Sequence, residues 1–189
     1  MFAVLKETLR AYQNKAEWLE VYSKIEDTGS FVVGKVLDLD DDYVLLGLIH
    51  PSGVYDGYMA LSLDKIYQVK EKTNYIARLL TFMEHEGKFD FSLPPGESHG
   101  VLLDFMRRIQ QSGWIASMEI NNSGYNDVIG RIDSVDDTTV AVTEITDDGD
   151  TDGKTTLARR AVTRISADGE KERRLQWLAG WKQPEGNRG

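Results

Sequence analysis

Three groups of side chains in this sequence have the types and spacing to do chemistry: carboxylates in close runs, three histidines, and a cluster of arginines and lysines. The densest acidic run is Asp148-Gly149-Asp150-Thr151-Asp152-Gly153. Its D-x-D-x-D-G spacing is that of a calcium loop, in which alternating oxygens wrap a hard cation. Such a loop closes with a bidentate glutamate at its twelfth position, and that position is Arg159 here. The run therefore reads as a solvated hairpin loop. Asp40-Asp41 and Asp136-Asp137 are paired acids without convergent partners, which assigns them to turns rather than to acid–base work. His50, His85 and His99 are scattered, with no ligand or triad spacing between them. No serine lies in a G-x-S-x-G context, no glycine-rich phosphate loop precedes a helix, and there is no cysteine. The expectation is a non-catalytic protein with no cofactor and no bound metal.

Arg159, Arg160, Arg164, Lys171, Arg173 and Arg174 form the one basic cluster dense enough to predict an anionic partner. The same cluster is equally an interface complementary to the acidic loops of another copy. Residues 132–152 hold eight acids and no base, whereas residues 154–174 hold seven bases against three acids. The formal charge of −9 argues against broad binding through phosphate neutralisation. Trp18 and Trp114 are candidate stacking platforms, but each follows an amphipathic segment at the start of a strand, which predicts core packing. No apolar run reaches the length of a membrane span, and the opening residues carry charge too early for a secretory signal. With no cysteine, the expected location is the cytoplasm.

The elements that position these residues occur twice. Shifted by 96 residues, the stretch 34–69 lies over 130–165 without a gap. Gly34 meets Gly130, Asp40-Asp41 meets Asp136-Asp137, Gly53 meets Gly149, and Asp56-Gly57 meets Asp152-Gly153. Apolar positions agree in kind, and the same shift pairs Trp18 with Trp114 and Arg78-Leu79 with Arg174-Leu175. Glycine, turn and core positions matching together indicate two copies of one packing unit.

Each copy reads as a helix followed by five short strands. In the first, the apolar spacing predicts a helix over 1–16 and strands over 17–24, 31–39, 43–50, 58–63 and 66–70. In the second it predicts a helix over 100–111 and strands over 114–120, 127–135, 139–146, 154–158 and 162–167. Residues 75–82 form a helical turn or two. The apolar face changes parity between Val36 and Leu39 and again between Ile132 and Val135, which predicts a bulge in both second strands. The domains are then residues 1–82, a linker over 83–98, residues 99–182 and a frayed tail over 183–189.

A helix followed by five short, strongly bent antiparallel strands resembles the Sm-like (LSm and Hfq-like) small-barrel family. The family's first motif, a strand glycine with an aspartate six residues on, is similar to Gly34/Asp40 and Gly130/Asp136. Its second motif, strand, short basic corner and strand, is similar to residues 59–69 and 155–165. The resemblance implies a mainly β fold of two tandem Sm-like (SH3-like) five-stranded bent antiparallel barrels, each preceded by an α-helix. It also implies an RNA-associated or RNA-chaperone-like role, with Tyr43, Lys65, Arg159, Arg160 and Arg164 as the nucleic-acid-binding residues. Family members that bind uridine-rich RNA carry a stacking residue and then an asparagine after the aspartate. Here those positions are Tyr43-Val44 and Thr139-Val140, and the arginine-glycine corner and lysine-histidine signature are missing. The alternative expectation is a protein-binding or assembly module that keeps the barrel without the RNA pocket. Its partners would be another protein or further copies of itself, joined through strand edges, with no membrane involved.

Overall fold

The computed structural model describes residues 2–93, 96–97 and 99–181. The protein is mainly β, with four α-helices and ten antiparallel strands among the described residues. The frayed tail expected over 183–189 lies outside them. The chain divides into two compact units, one up to Phe105 and the other from Met106, so the boundary falls inside a helix.

The first unit runs α1 (Phe2–Lys15), β1 (Trp18–Tyr22), β2 (Val32–Leu39), β3 (Tyr43–Ile49), β4 (Tyr55–Ser62), a 3-10 corner (Leu63–Lys65), β5 (Gln68–Glu71) and α2 (Asn74–Glu86). After α3 (Val101–Ser112), the second unit runs β6 (Ile115–Ile120), β7 (Val128–Val135), β8 (Thr139–Ile145), β9 (Thr151–Ala158), a 3-10 corner (Arg159–Ala161), β10 (Val162–Ala167) and α4 (Glu170–Trp181). Strand order is β5-β1-β2-β3-β4 in the first unit and β10-β6-β7-β8-β9 in the second. In neither unit do the two end strands pair with each other, so each series is open.

The repeat is larger than the sequence shows, because a helix follows the fifth strand in both copies. α2 extends well beyond residues 75–82, and nothing in the sequence pattern announces α4. The offset of 96 holds from β2 to α4, but the first helix and first strand of each copy are related by 97. Lys35 pairs with Trp18, whereas its counterpart Arg131 pairs with Ile115. The left-handed residue ending each first helix obeys the same offset, with Ala16 at φ 52° and Gly113 at φ 66°. Trp18 and Trp114 are therefore not equivalent. Trp18 is buried in its unit and Trp114 half-buried ahead of β6.

The parity change is a bulge in both copies. The β2–β3 register slips between Val36 and Asp38, and the β7–β8 register between Ile132 and Ser134. A side-chain amide from the first helix reaches the bulged carbonyl each time: Gln110 Nε2 donates to Asp133 O at 2.7 Å, and Gln13 Nε2 lies 3.5 Å from Leu37 O. Pairing Gly130 with Glu144 leaves no room for a side chain, since a Cβ there would sit 2.1 Å from Thr143 O.

Each face of the first unit's sheet has its own core. Leu9 and Tyr12 of α1 pack with Leu19, Val36, Val44, Leu46, Leu61 and Ile66 on one side. On the other, Ile76 and Leu79 of α2 pack with Trp18, Val33 and Ile49. The second unit repeats the latter arrangement, with Leu175 and Ala179 of α4 against Ile115 and Ile145. The loop glycine shared by the copies lies under this second helix. A Cβ on Gly53 would come within 2.7 Å of Met83 N, and one on Gly149 within 2.8 Å of Ala179 N. Both glycines also have positive φ, at +88° and +85°.

Residues 88–93, expected to belong to a linker, return across the first unit. Phe89 and Phe91 meet Trp18 edge-on at 6.3 and 6.0 Å and also contact Tyr55. Gly47 is a glycine for this reason: a Cβ there would lie 2.6 Å from the Phe91 ring.

Candidate nucleic-acid interface

The turn between the second and third strands leads into Tyr43 in the first unit, and an aspartate builds it in each unit. Asp40 Oδ1 accepts hydrogen bonds from the backbone N–H of Asp42 at 2.8 Å and of Tyr43 at 2.6 Å. Its Oδ2 accepts from Val101 N at 2.7 Å, at the start of α3. Asp136 Oδ1 accepts from Thr138 N and Thr139 N, both at 2.7 Å, and the two threonine hydroxyls add bonds of 2.9 Å. These donors hold the Asp136 carboxyl well below its ordinary value of 3.8. Apart from the Asp40 Oδ2 bond to α3, every lone pair so used shapes the turn.

The 3-10 corner after the fourth strand closes over this turn. Leu63 N donates to Asp42 O at 2.8 Å, and Arg159 N donates to Thr138 O at 2.8 Å. The corner therefore brings Tyr43 and Lys65, both half-buried, to one end of the first unit. In the second unit Arg159 and Arg160 share the corresponding corner. The Arg159 guanidinium turns back onto the turn, donating to Asp137 O from Nε at 3.0 Å and Nη2 at 2.6 Å. Arg160 is exposed. Arg164 is not at this end: from β10 its Nη2 lies 3.3 Å from Oε2 of the fully buried Glu119 and 3.0 Å from Asn126 Oδ1. Its side chain is only 12% exposed.

The positions matched to the family's asparagine by the sequence resemblance are closed. Val44 and Val140 each have no exposed surface and pair with the fourth strand at Leu61 and Leu157. Beside the first turn, a cleft of about 430 Å³ is lined by Asp38, Asp40 and Asp104. Asp104 is buried and lies 3.3 Å from His99 Nδ1. Elsewhere acids also serve structure. Thr143 and Lys154 hold the Asp133 carboxyl below its usual range, and a hydrogen bond from Lys6 does the same for Asp41.

The acidic run 147–152 forms the β8–β9 hairpin, and no group of three potential metal ligands converges among the described residues. His50 Nδ1 sits 2.8 Å from Ser52 Oγ, within its own loop. Besides Asp104, three buried acids were not legible in advance, because each interrupts an otherwise ordinary pattern. Glu20 accepts from the hydroxyls of Tyr22, at 2.7 Å, and Thr73, while Thr73 Oγ1 accepts from Ile76 N to cap α2. Glu172 accepts from Ser117 Oγ at 2.5 Å, tying α4 to β6, and Glu119 faces Arg164. No helix is long and apolar enough to cross a membrane. No family model, no curated protein and no solved structure matches the chain.

Proposed function

We propose that the chain is a non-catalytic assembly module, two Sm-like units in tandem, that binds protein rather than RNA. Complete burial of Val44 and Val140 carries this reading, because the base-reading positions have become core. Three further features support it. Arg159 is spent on its own turn, Arg164 on a buried acid, and the cleft beside Asp40 presents carboxylates to any approaching phosphate. Strand order and the paired bulges support the kinship with Sm-like barrels, although each strand series is open.

RNA association is the second reading, favoured by Tyr43 and Lys65 at one end and by exposed Arg160. Filter binding with uridine-rich and adenine-rich RNA across a salt series separates the two. The assembly reading expects no saturable binding at low salt. Salt-dependent binding that Lys65→Glu or Arg160→Glu weakens would overturn it.

A further inference from the structure

α4 ends the second unit with its two faces sharply divided. Glu172, Leu175 and Ala179 are buried. Glu170, Arg173, Arg174, Trp177, Gly180 and Trp181 are exposed. At the helical angle per residue, these six fall within an arc of roughly 120°. Trp177 is 64% exposed and Trp181 74%, and their rings stack on each other at 6.0 Å with planes 7° apart. The fold does not require this pair, since α2 has Thr81 and His85 at the matching positions. Contiguous exposed indoles mark interaction surfaces, and tryptophan and arginine dominate the energetics of such surfaces.

We propose that this face of α4 docks on the same face of a second copy, antiparallel about a two-fold axis near Trp177. The proposal rests on the assembly reading and supplies its partner. Such an axis sets position 173 opposite 181 and position 174 opposite 180, so the arginines of one copy lie over Trp181 of the other. A guanidinium over an indole face is attractive, and Gly180 has no side chain to hold the arginine stem away. The β8–β9 loop adds a second match. Gly149 packs against Ala179, which places Asp147 and Asp148 beside the C-terminal half of α4. There they meet the partner copy's arginines. The N-terminal half, net positive with two arginines and Glu170, faces an apolar and acidic half, twice over, as an isologous contact requires. A parallel pairing would set arginine against arginine, and the acidic loop packed on the same half of α4 disfavours a nucleic acid. Four indoles present on the order of 400–700 Å² between them, below the size of a permanent interface, so the dimer is a weak one with a Kd in the micromolar range.

Sedimentation velocity on the full chain tests this, from about 1 to 200 µM so as to span that Kd. The expected result is a monomer–dimer equilibrium that Trp177→Ala/Trp181→Ala weakens at least ~10-fold without lowering Tm. Arg174→Glu is expected to weaken it too, and adding Asp148→Lys to restore it. Arg174 is the better probe because Arg173 already donates to Asp168 O at 2.6 Å. A chain monomeric throughout, or a dimer indifferent to the tryptophan changes, overturns the proposal. The indifferent dimer would leave the assembly reading standing, whereas specific RNA binding by the tryptophan double variant would remove that reading by itself.

Discussion

Val140 decides more than any charged residue in the chain. In the Sm-like reading it takes the place of a base-reading asparagine, yet it has no exposed surface. Val140→Asn should therefore destabilise the second unit by about 2–4 kcal/mol and create no RNA binding. Urea denaturation beside a filter-binding titration checks both halves. Gly130 gives a sharper steric test. A Cβ there would meet Thr143 O at 2.1 Å, whereas one on Gly34 would meet Gly47 O at 3.1 Å. Gly130→Ala should cost about 3 kcal/mol or more and Gly34→Ala about 1, and equal effects would contradict the register. Asp136 supplies the pH dependence. Its carboxyl is depressed in the folded state, so its stabilisation is complete above its ordinary 3.8 and fades as pH falls through the folded value. Asp136→Ala should flatten the acid limb of a stability–pH curve, leaving neutral pH as the region of largest difference. The turn aspartates were legible from spacing alone. The fates of Arg159 and Arg164 were not, because a basic cluster in sequence does not say which guanidinium folds back onto a carbonyl.

Among the elements, strands were easier to read than helices. Bulges announced themselves as a parity change because side-chain alternation in a strand has a period of two, so one extra residue flips the face. α4 gave no such signal. Its buried set includes Glu172, and its two largest apolar residues, Trp177 and Trp181, are on the exposed side. Helical periodicity is hidden when function or assembly claims the outer face. An ungapped comparison also matched Trp18 to Trp114, since a single added residue between helix and strand is invisible to it. Residues 88–93 lacked any period, so their role came only from packing. Removing the Phe91 ring from its seat on Gly47 should cost about 2 kcal/mol, less than a fully buried phenylalanine because Phe91 is half-exposed. Thermal unfolding of Phe91→Ala measures this, and an unchanged Tm would return the segment to the status of a linker.

For the molecule as a whole, a net charge of −9 and a doubled helix–five strands–helix unit point in one direction. Doubling retained what folding needs: the turn aspartate, the strand glycine, the bulge, and the loop glycine beneath the second helix. It did not retain symmetry on the surface, where the first unit adds an aromatic strap and the second an arginine–tryptophan face. Differences of this kind, on elements that otherwise share their strand register, are what specialisation of one copy for a partner would leave. The offset change from 97 to 96 between β6 and β7 is the most exacting consequence of this account. Cross-strand proton NOEs on isotope-labelled protein test it directly. They should place Ile115 opposite Arg131, as Trp18 is opposite Lys35, with β10 paired to β6 as β5 is to β1. NOEs placing Trp114 opposite Arg131, or β10 away from β6, would contradict the duplication as described.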